Sequence, residues 1–322
     1  METEQAHSSR IYPLGRDAAL RRPRTADNDV ALRHSRTAQR AVPTSERTPV
    51  IWLNLVCLDA PLVSVAWLWL FAQTFHRSVD PSNCAALFLT AWSIYLADRL
   101  ADSQSLPANG PRSLRHEFCL RYRRVWIGGL MVIVATDAVI IWRNIGMETL
   151  IPGAIIGTLV LVHLVLNYSL GGAWPPLPLK EFTTGFLFAA GTLVALFPVF
   201  RPITDPMVFT MLAFACLCTL NCLSIAHWER ELDEAQGKVS FATRFPGPTH
   251  HLGKLSLALA LGCGVMTIIC REAAPIFECV GVSSFFLALL DSFRGRIARD
   301  QRTALADLVL LTPLLALFVM NA

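Results

Sequence analysis

Apolar runs close to the length of a bilayer-spanning helix, roughly 20 residues, recur through most of this 322-residue chain. In lipid, each such run must satisfy its own backbone hydrogen bonds, and a helix does so. Candidate spans fall at about 50–75, 81–101, 124–144, 149–169, 181–200, 206–228, 254–271, 273–292 and 303–321. Asp59-Ala60-Pro61 interrupts the first, which reads as two pieces. Charged residues make up only 16% of the chain and hydrophobic ones 53%. Soluble domains carry about 25% charged residues, so a soluble fold of this length would lack polar surface. The sequence therefore predicts an all-α polytopic membrane protein of nine spans. Short connections such as Arg271-Glu272 predict antiparallel hairpins in a compact bundle.

Residues 1–48 are a different material, rich in Arg, Ser, Thr, Ala and Asp. With so few large apolar side chains they cannot offset their ordering entropy, and disorder is expected. They contain no apolar core of a secretory signal. The predicted organisation is a tail over 1–48 and a transmembrane domain over 49–322. Of the 28 Lys and Arg residues, 24 fall on the tail's side of the nine spans; Arg77, Arg143, Arg201 and Arg271 fall on the other. By the positive-inside rule the N-terminus is cytoplasmic, and an odd number of spans puts the C-terminus outside. A bacterial inner membrane is the expected location. No basic and aromatic stripe of a nucleic-acid module is present. The nine cysteines lie mostly in apolar runs without a paired CxxC framework, so they read as small buried hydrophobes.

Two helix ends carry the chemistry. The second span closes on Asp98-Arg99-Leu100-Ala101-Asp102, and the sixth runs into Glu229-Arg230-Glu231-Leu232-Asp233. Each presents two acids at i and i+4, hence on one helix face, with an arginine directly after the first. The topology puts both ends at the cytoplasmic mouth. A helix that simply stops at water needs no such repeat. Hard divalent cations take oxygen ligands, and Mg²⁺ is commonly held by a few carboxylates together with phosphate oxygens. Arginine suits phosphate geometrically. The pattern points to a diphosphate bridged to two acidic helix ends by metal ions.

At these residues the chain resembles the UbiA superfamily of intramembrane prenyltransferases. That family has nine transmembrane helices, with acidic motifs at the cytoplasmic ends of the second and sixth. Gly237 also fits the second motif, and Leu58-Asp59-Ala60-Pro61 resembles the family's Leu-Asp-Lys-Pro at the first helix. Tyr168 followed by Lys180 resembles the link between the fourth and fifth helices. The resemblance implies a helical ring around a central cavity, open to lipid. It implies Mg²⁺-dependent transfer of a prenyl chain from a prenyl diphosphate to a lipophilic, often aromatic acceptor. Asp98, Asp102, Glu229 and Asp233 would then be the catalytic metal ligands. Arg99, Arg230 and Lys180 would contact diphosphate. Tyr168, Tyr95 and Asp59 would complete the substrate site, with Trp92 and Trp228 either facing an allylic cation or packing in the core.

The chain departs from the family pattern. Ile94 stands where an Asn usually opens the first motif, Cys57 where an Arg precedes the first-helix motif, and Glu229 where an Asp is usual. The loop over 103–124 lacks the usual Arg-Pro and Gly pattern. It offers Arg112, Arg115, His116, Arg121, Arg123 and Arg124 instead, either as a cap on the site or as headgroup anchors. Terpene cyclisation, prenyl transfer to a non-aromatic acceptor, and a non-catalytic transporter or scaffold are the rival readings. His163 and Asp291 are expected to make ordinary helix contacts, and His250-His251 is not a metal site.

Overall fold

The computed structural model describes residues 49–106, 110–170, 179–198 and 204–320. The expected tail and Arg201 lie outside them. Every regular element among the described residues is helical. The chain starts with α1 (Pro49–Leu55) and α2 (Asp59–Thr74), which meet at 95°. Cys57 takes a positive φ of 55° at the corner, a conformation uncommon outside Gly, Asn and Asp. Pro61 has no N–H to donate and is tolerated in the first turn of α2. The carbonyl of Val56, freed by the break, accepts from the Trp92 indole at 3.0 Å.

Next comes α3 (Pro81–Ser105), begun by Asp80, whose carboxylate accepts from the Ser82 N–H at 2.7 Å, with Pro81 in the first turn. A short α4 (Leu114–Arg121) leads to α5 (Arg123–Asn144) and α6 (Met147–Leu170). Then follow α7 (Leu179–Thr192), a 3-10 turn at Val194–Leu196, and the long α8 (Asp205–Gln236). Two four-residue turns, α9 (Phe241–Arg244) and α10 (Pro246–Thr249), precede α11 (Leu252–Ile269) and α12 (Ala274–Ser292). The chain closes with α13 (Arg299–Leu308), a 3-10 turn at Val309–Leu311, and α14 (Pro313–Met320).

Six of these helical stretches are long and apolar enough to cross a membrane, or seven if the bent α1–α2 pair counts as one span. This is a polytopic all-α architecture; among the described residues fewer than the nine expected spans stand out by length and composition. The segments expected at 181–200 and 303–321 are helical yet broken. In the second, Pro313 cannot donate to the Val309 carbonyl one turn back. That carbonyl accepts from the Ser283 hydroxyl at 2.8 Å, and Leu310's accepts from the Trp67 indole at 2.8 Å. The break is thereby tied into the core, where Trp67 stacks on Phe214 with centroids 4.4 Å apart, beside Phe71, Ile276 and Phe277. The outer faces of α5, α6 and α11 are apolar and bare, with Trp142 89% exposed, as faces turned to lipid are. Thirty-two residues make α8 about 48 Å long. That exceeds a hydrocarbon core of about 30 Å, so the helix is longer than one crossing needs.

Candidate functional site

The ends of α3 and α8 meet through α4 and the turn after α8. Gly237 adopts the left-handed conformation (φ 68°) that ends α8, and the Lys238 N–H bonds back to the Asp233 carbonyl at 2.8 Å. This reversal aims Lys238 at α3, where its ammonium lies 3.1 Å from Asp102 Oδ2. From α4, Arg115 pairs with Glu229 Oε2, whose other oxygen accepts from Thr303 at 3.2 Å. The next residue, His116, is buried, its Nδ1 2.8 Å from the Ser113 hydroxyl and its Nε2 3.9 Å from Asp102. Burial holds this imidazole below its usual range. Asp102 pulls it the other way, while the charges of Arg115, Arg99 and Lys238 add to the lowering. The Gln236 amide donates to the Pro111 carbonyl at 2.9 Å, closing the cap over the acids.

From α6 the Tyr168 hydroxyl reaches Asp98 Oδ1 at 2.9 Å and lies 3.4 Å from Asp102 Oδ1. Lys180, at the start of α7, is near enough for its charge to act on Asp98, Asp102 and Asp233. It makes no ion pair among the described residues. Arg99 lies between the acids of α3 and Asp59, and its buried Nη1 has no hydrogen-bond partner.

The structure thus brings Asp98, Asp102, Glu229 and Asp233 into one charged mouth with Arg99, Lys180 and Tyr168. Among the described residues no three His, Cys, Asp or Glu side chains come together as a metal-binding group, so the four acids do not form one cluster. Arg230 is not part of the mouth: it turns outward and pairs with Glu234 at 2.7 Å. Sequence reasoning kept the loop over 103–124 open between cap and headgroup anchor; Arg115 and His116 are cap residues. Lys238 was missed, although its place directly after Gly237, a residue type that commonly ends helices, was a usable signal. Trp228 packs rather than serving the site. Its indole donates to Asp291 at 3.0 Å and Arg302 lies over its ring. His163 contacts the Thr184 hydroxyl at 3.1 Å, an ordinary helix-to-helix contact.

Below the mouth lies a small cavity of about 30 Å³ lined by Tyr95, Thr184, Phe188, Cys218, Asn221 and Asp307 among others. Tyr95 is three residues before Asp98 and Thr184 is four after Lys180, so the cavity opens about one helical turn beneath the charges. Asp59 and Asp307 face each other across Asn54, whose amide donates to both, at 2.7 and 3.0 Å. Asp307 was not identified from the sequence, since it comes from α13, 253 residues after Asn54.

Comparison of the chain with protein-family models, with curated proteins and with solved structures returns no match.

Proposed function

We propose that this chain is a divergent UbiA-type prenyltransferase of nine transmembrane segments, moving an isoprenoid chain from a prenyl diphosphate to a lipophilic aromatic acceptor. The observation that carries the reading is the charged mouth over an apolar cavity. Two acid pairs from different helices converge there; beside them Arg99 has a buried Nη1 without a hydrogen-bond partner, and Lys180 makes no ion pair among the described residues. Cations placed so suit an anionic ligand.

The acids suit Mg²⁺. They are hard oxygen donors, two at each helix end, and this ion ordinarily completes its shell with water and phosphate oxygens rather than an all-protein cage. Asp98 with Asp102 would hold one ion, and Glu229 with Asp233 another. Bound there, Mg²⁺ supplies positive charge that stabilises a departing diphosphate. Arg115 and Lys238 are close enough to exchange their carboxylates for phosphate oxygens when a cation takes those acids. Tyr168 orients the Asp98 carboxylate by its hydrogen bond.

The test is turnover by the purified protein with a series of prenyl diphosphates and aromatic acceptors. Asp98→Ala and Asp233→Ala are expected to abolish product while leaving the protein folded; full activity in both would refute the site. A hydrocarbon product without acceptor would identify a cyclase instead. One observation favours a non-catalytic reading: Asp102 and Glu229 are already neutralised by Lys238 and Arg115. Absence of any prenyl diphosphate binding would select that reading.

A further inference from the structure

A second charged group of side chains lies outside the mouth, where α8 and α12 end and α11 begins. The stretch from Asp291 to Arg302 holds four arginines and two aspartates. Both aspartates are engaged. Asp291 Oδ1 accepts from the Trp228 indole at 3.0 Å, and Arg294 Nη1 lies 3.7 Å from the same oxygen. Asp300 lies 3.7 Å from Arg299. Arg296 is exposed and makes no ion pair among the described residues; its guanidinium sits 5.5 Å from the Phe293 ring centroid.

The start of α11 belongs to the same patch. A Cβ on Gly253 would fall 2.6 Å from Asp291 Oδ2, so the first turn of α11 touches the last turn of α12. Lys254, the next residue, is exposed and makes no ion pair among the described residues. Arg294 is held in place on two sides. Its guanidinium donates to His227 Nε2 at 2.7 Å, because arginine has no acceptor, and its carbonyl accepts from Arg302. The Arg294 side chain nevertheless stays 43% exposed. His250 packs edge to face on His227, with centroids 5.7 Å apart. Glu231, four residues after His227 on α8, is an exposed acid on that face. Lys254, Arg294 and Arg296 outnumber it.

The surface beside these cations selects the ligand. Both α11 and α12 are long and apolar enough to cross a membrane. Their exposed flanks begin within about a turn of the charges, with Leu255 and Leu257 on one helix and Leu289 and Phe293 on the other. A ligand complementary to both parts joins an anionic group to hydrocarbon chains. A soluble anion would use the charge and leave the apolar flank uncovered. Basic groups between membrane helices at the headgroup level take anionic lipids.

We propose that Lys254, Arg294 and Arg296 bind the phosphate headgroup of an anionic phospholipid, whose acyl chains lie along the exposed flanks of α11 and α12. The leaflet is the one on the mouth's side, which the positive-inside rule makes cytoplasmic. The site shares no residue with the mouth and does not depend on prenyl transfer.

The probes are dioleoyl phosphatidylglycerol and dioleoyl phosphatidylcholine, which carry the same acyl chains. Each is added to the purified full chain in neutral detergent, and bound lipid is read by native mass spectrometry. The wild type is expected to retain the anionic lipid about tenfold more than the zwitterionic one. Arg294→Gln/Arg296→Gln should bring the two lipids level without lowering phosphatidylcholine retention. Lys254→Gln, which breaks no ion pair, should lower the preference about fivefold and serves if the double variant fails to fold. Arg121→Gln/Arg124→Gln, which removes two exposed charges elsewhere, should leave the preference unchanged. Equal retention of the two lipids by the wild type would overturn the proposal. So would an equal loss in both double variants, which would mean diffuse attraction rather than a site. Displacement of phosphatidylglycerol by an equal concentration of inorganic phosphate would also overturn it, as the mark of a soluble-anion site.

Discussion

Glu229 is 7% exposed, and its two carboxylate oxygens are held there by Arg115 and Thr303. Removing one partner of a buried ion pair strands the other, at a cost of about 3–5 kcal/mol, whereas replacing both with apolar groups is often neutral. Arg115→Met is therefore expected to destabilise the protein by about 3 kcal/mol, and Arg115→Met/Glu229→Met to recover most of it. Denaturant unfolding of the two variants and of Glu229→Met completes the cycle. If the pair contributes nothing, Arg115→Met will unfold at the wild-type midpoint. The same residues mark what was legible beforehand. Glu229 stood out because its i, i+4 spacing to Asp233 is local. Arg115 was one of six basic or His residues in its loop, and its partner lies 114 residues away. Spacing has no information about such a contact; only the folded chain supplies it.

Among the elements, the contact between α7 and α8 sets how the mouth and cavity are held. Gly185 lines the cavity and lies against α8 so closely that a Cβ would fall 2.6 Å from the Thr219 nitrogen and 2.7 Å from its Cα. Those are backbone atoms and cannot turn away. Gly185→Ala is expected to cost about 1–3 kcal/mol through overpacking and to shift Lys180, one turn away, from the acids. Thermal unfolding checks the first effect. A change in prenyl diphosphate affinity larger than that of Gly157→Ala, where a Cβ meets nothing, checks the second. The apolar segments were legible because length and composition declare them. The breaks were half legible. Asp59-Ala60-Pro61 announced the first, and the structure bends there. Pro313 lay in an apolar run whose hydropathy masked its missing N–H. Its consequence became visible only with Ser283 and Trp67 on the freed carbonyls.

For the whole molecule, the distribution of Lys and Arg gives an orientation that the helices can be tested against. The positive-inside rule puts the charged mouth on the cytoplasmic side. In bacteria expressing fusions, alkaline phosphatase joined after Gly237, at the mouth, should be inactive. Joined after Gly146, between α5 and α6, it should be active. The reverse pattern would invert the topology and place the mouth outside. The acids, cations and cavity form a single arrangement: α3, α7 and α8 each carry charge at the mouth and cavity-lining residues one to two turns below. That stacking was not readable from any one motif, because it depends on three helices ending at the same depth.

The most direct measurement is the thermal stability of the purified protein with geranylgeranyl diphosphate, with and without Mg²⁺, beside Asp98→Ala. A ligand at 100 times its Kd stabilises by about 2.7 kcal/mol, enough to move the midpoint visibly. The account expects stabilisation that requires both the metal and Asp98. No shift with any prenyl length, or an equal shift in Asp98→Ala without metal, would contradict it and leave the acidic helix ends as a salt-bridged cap.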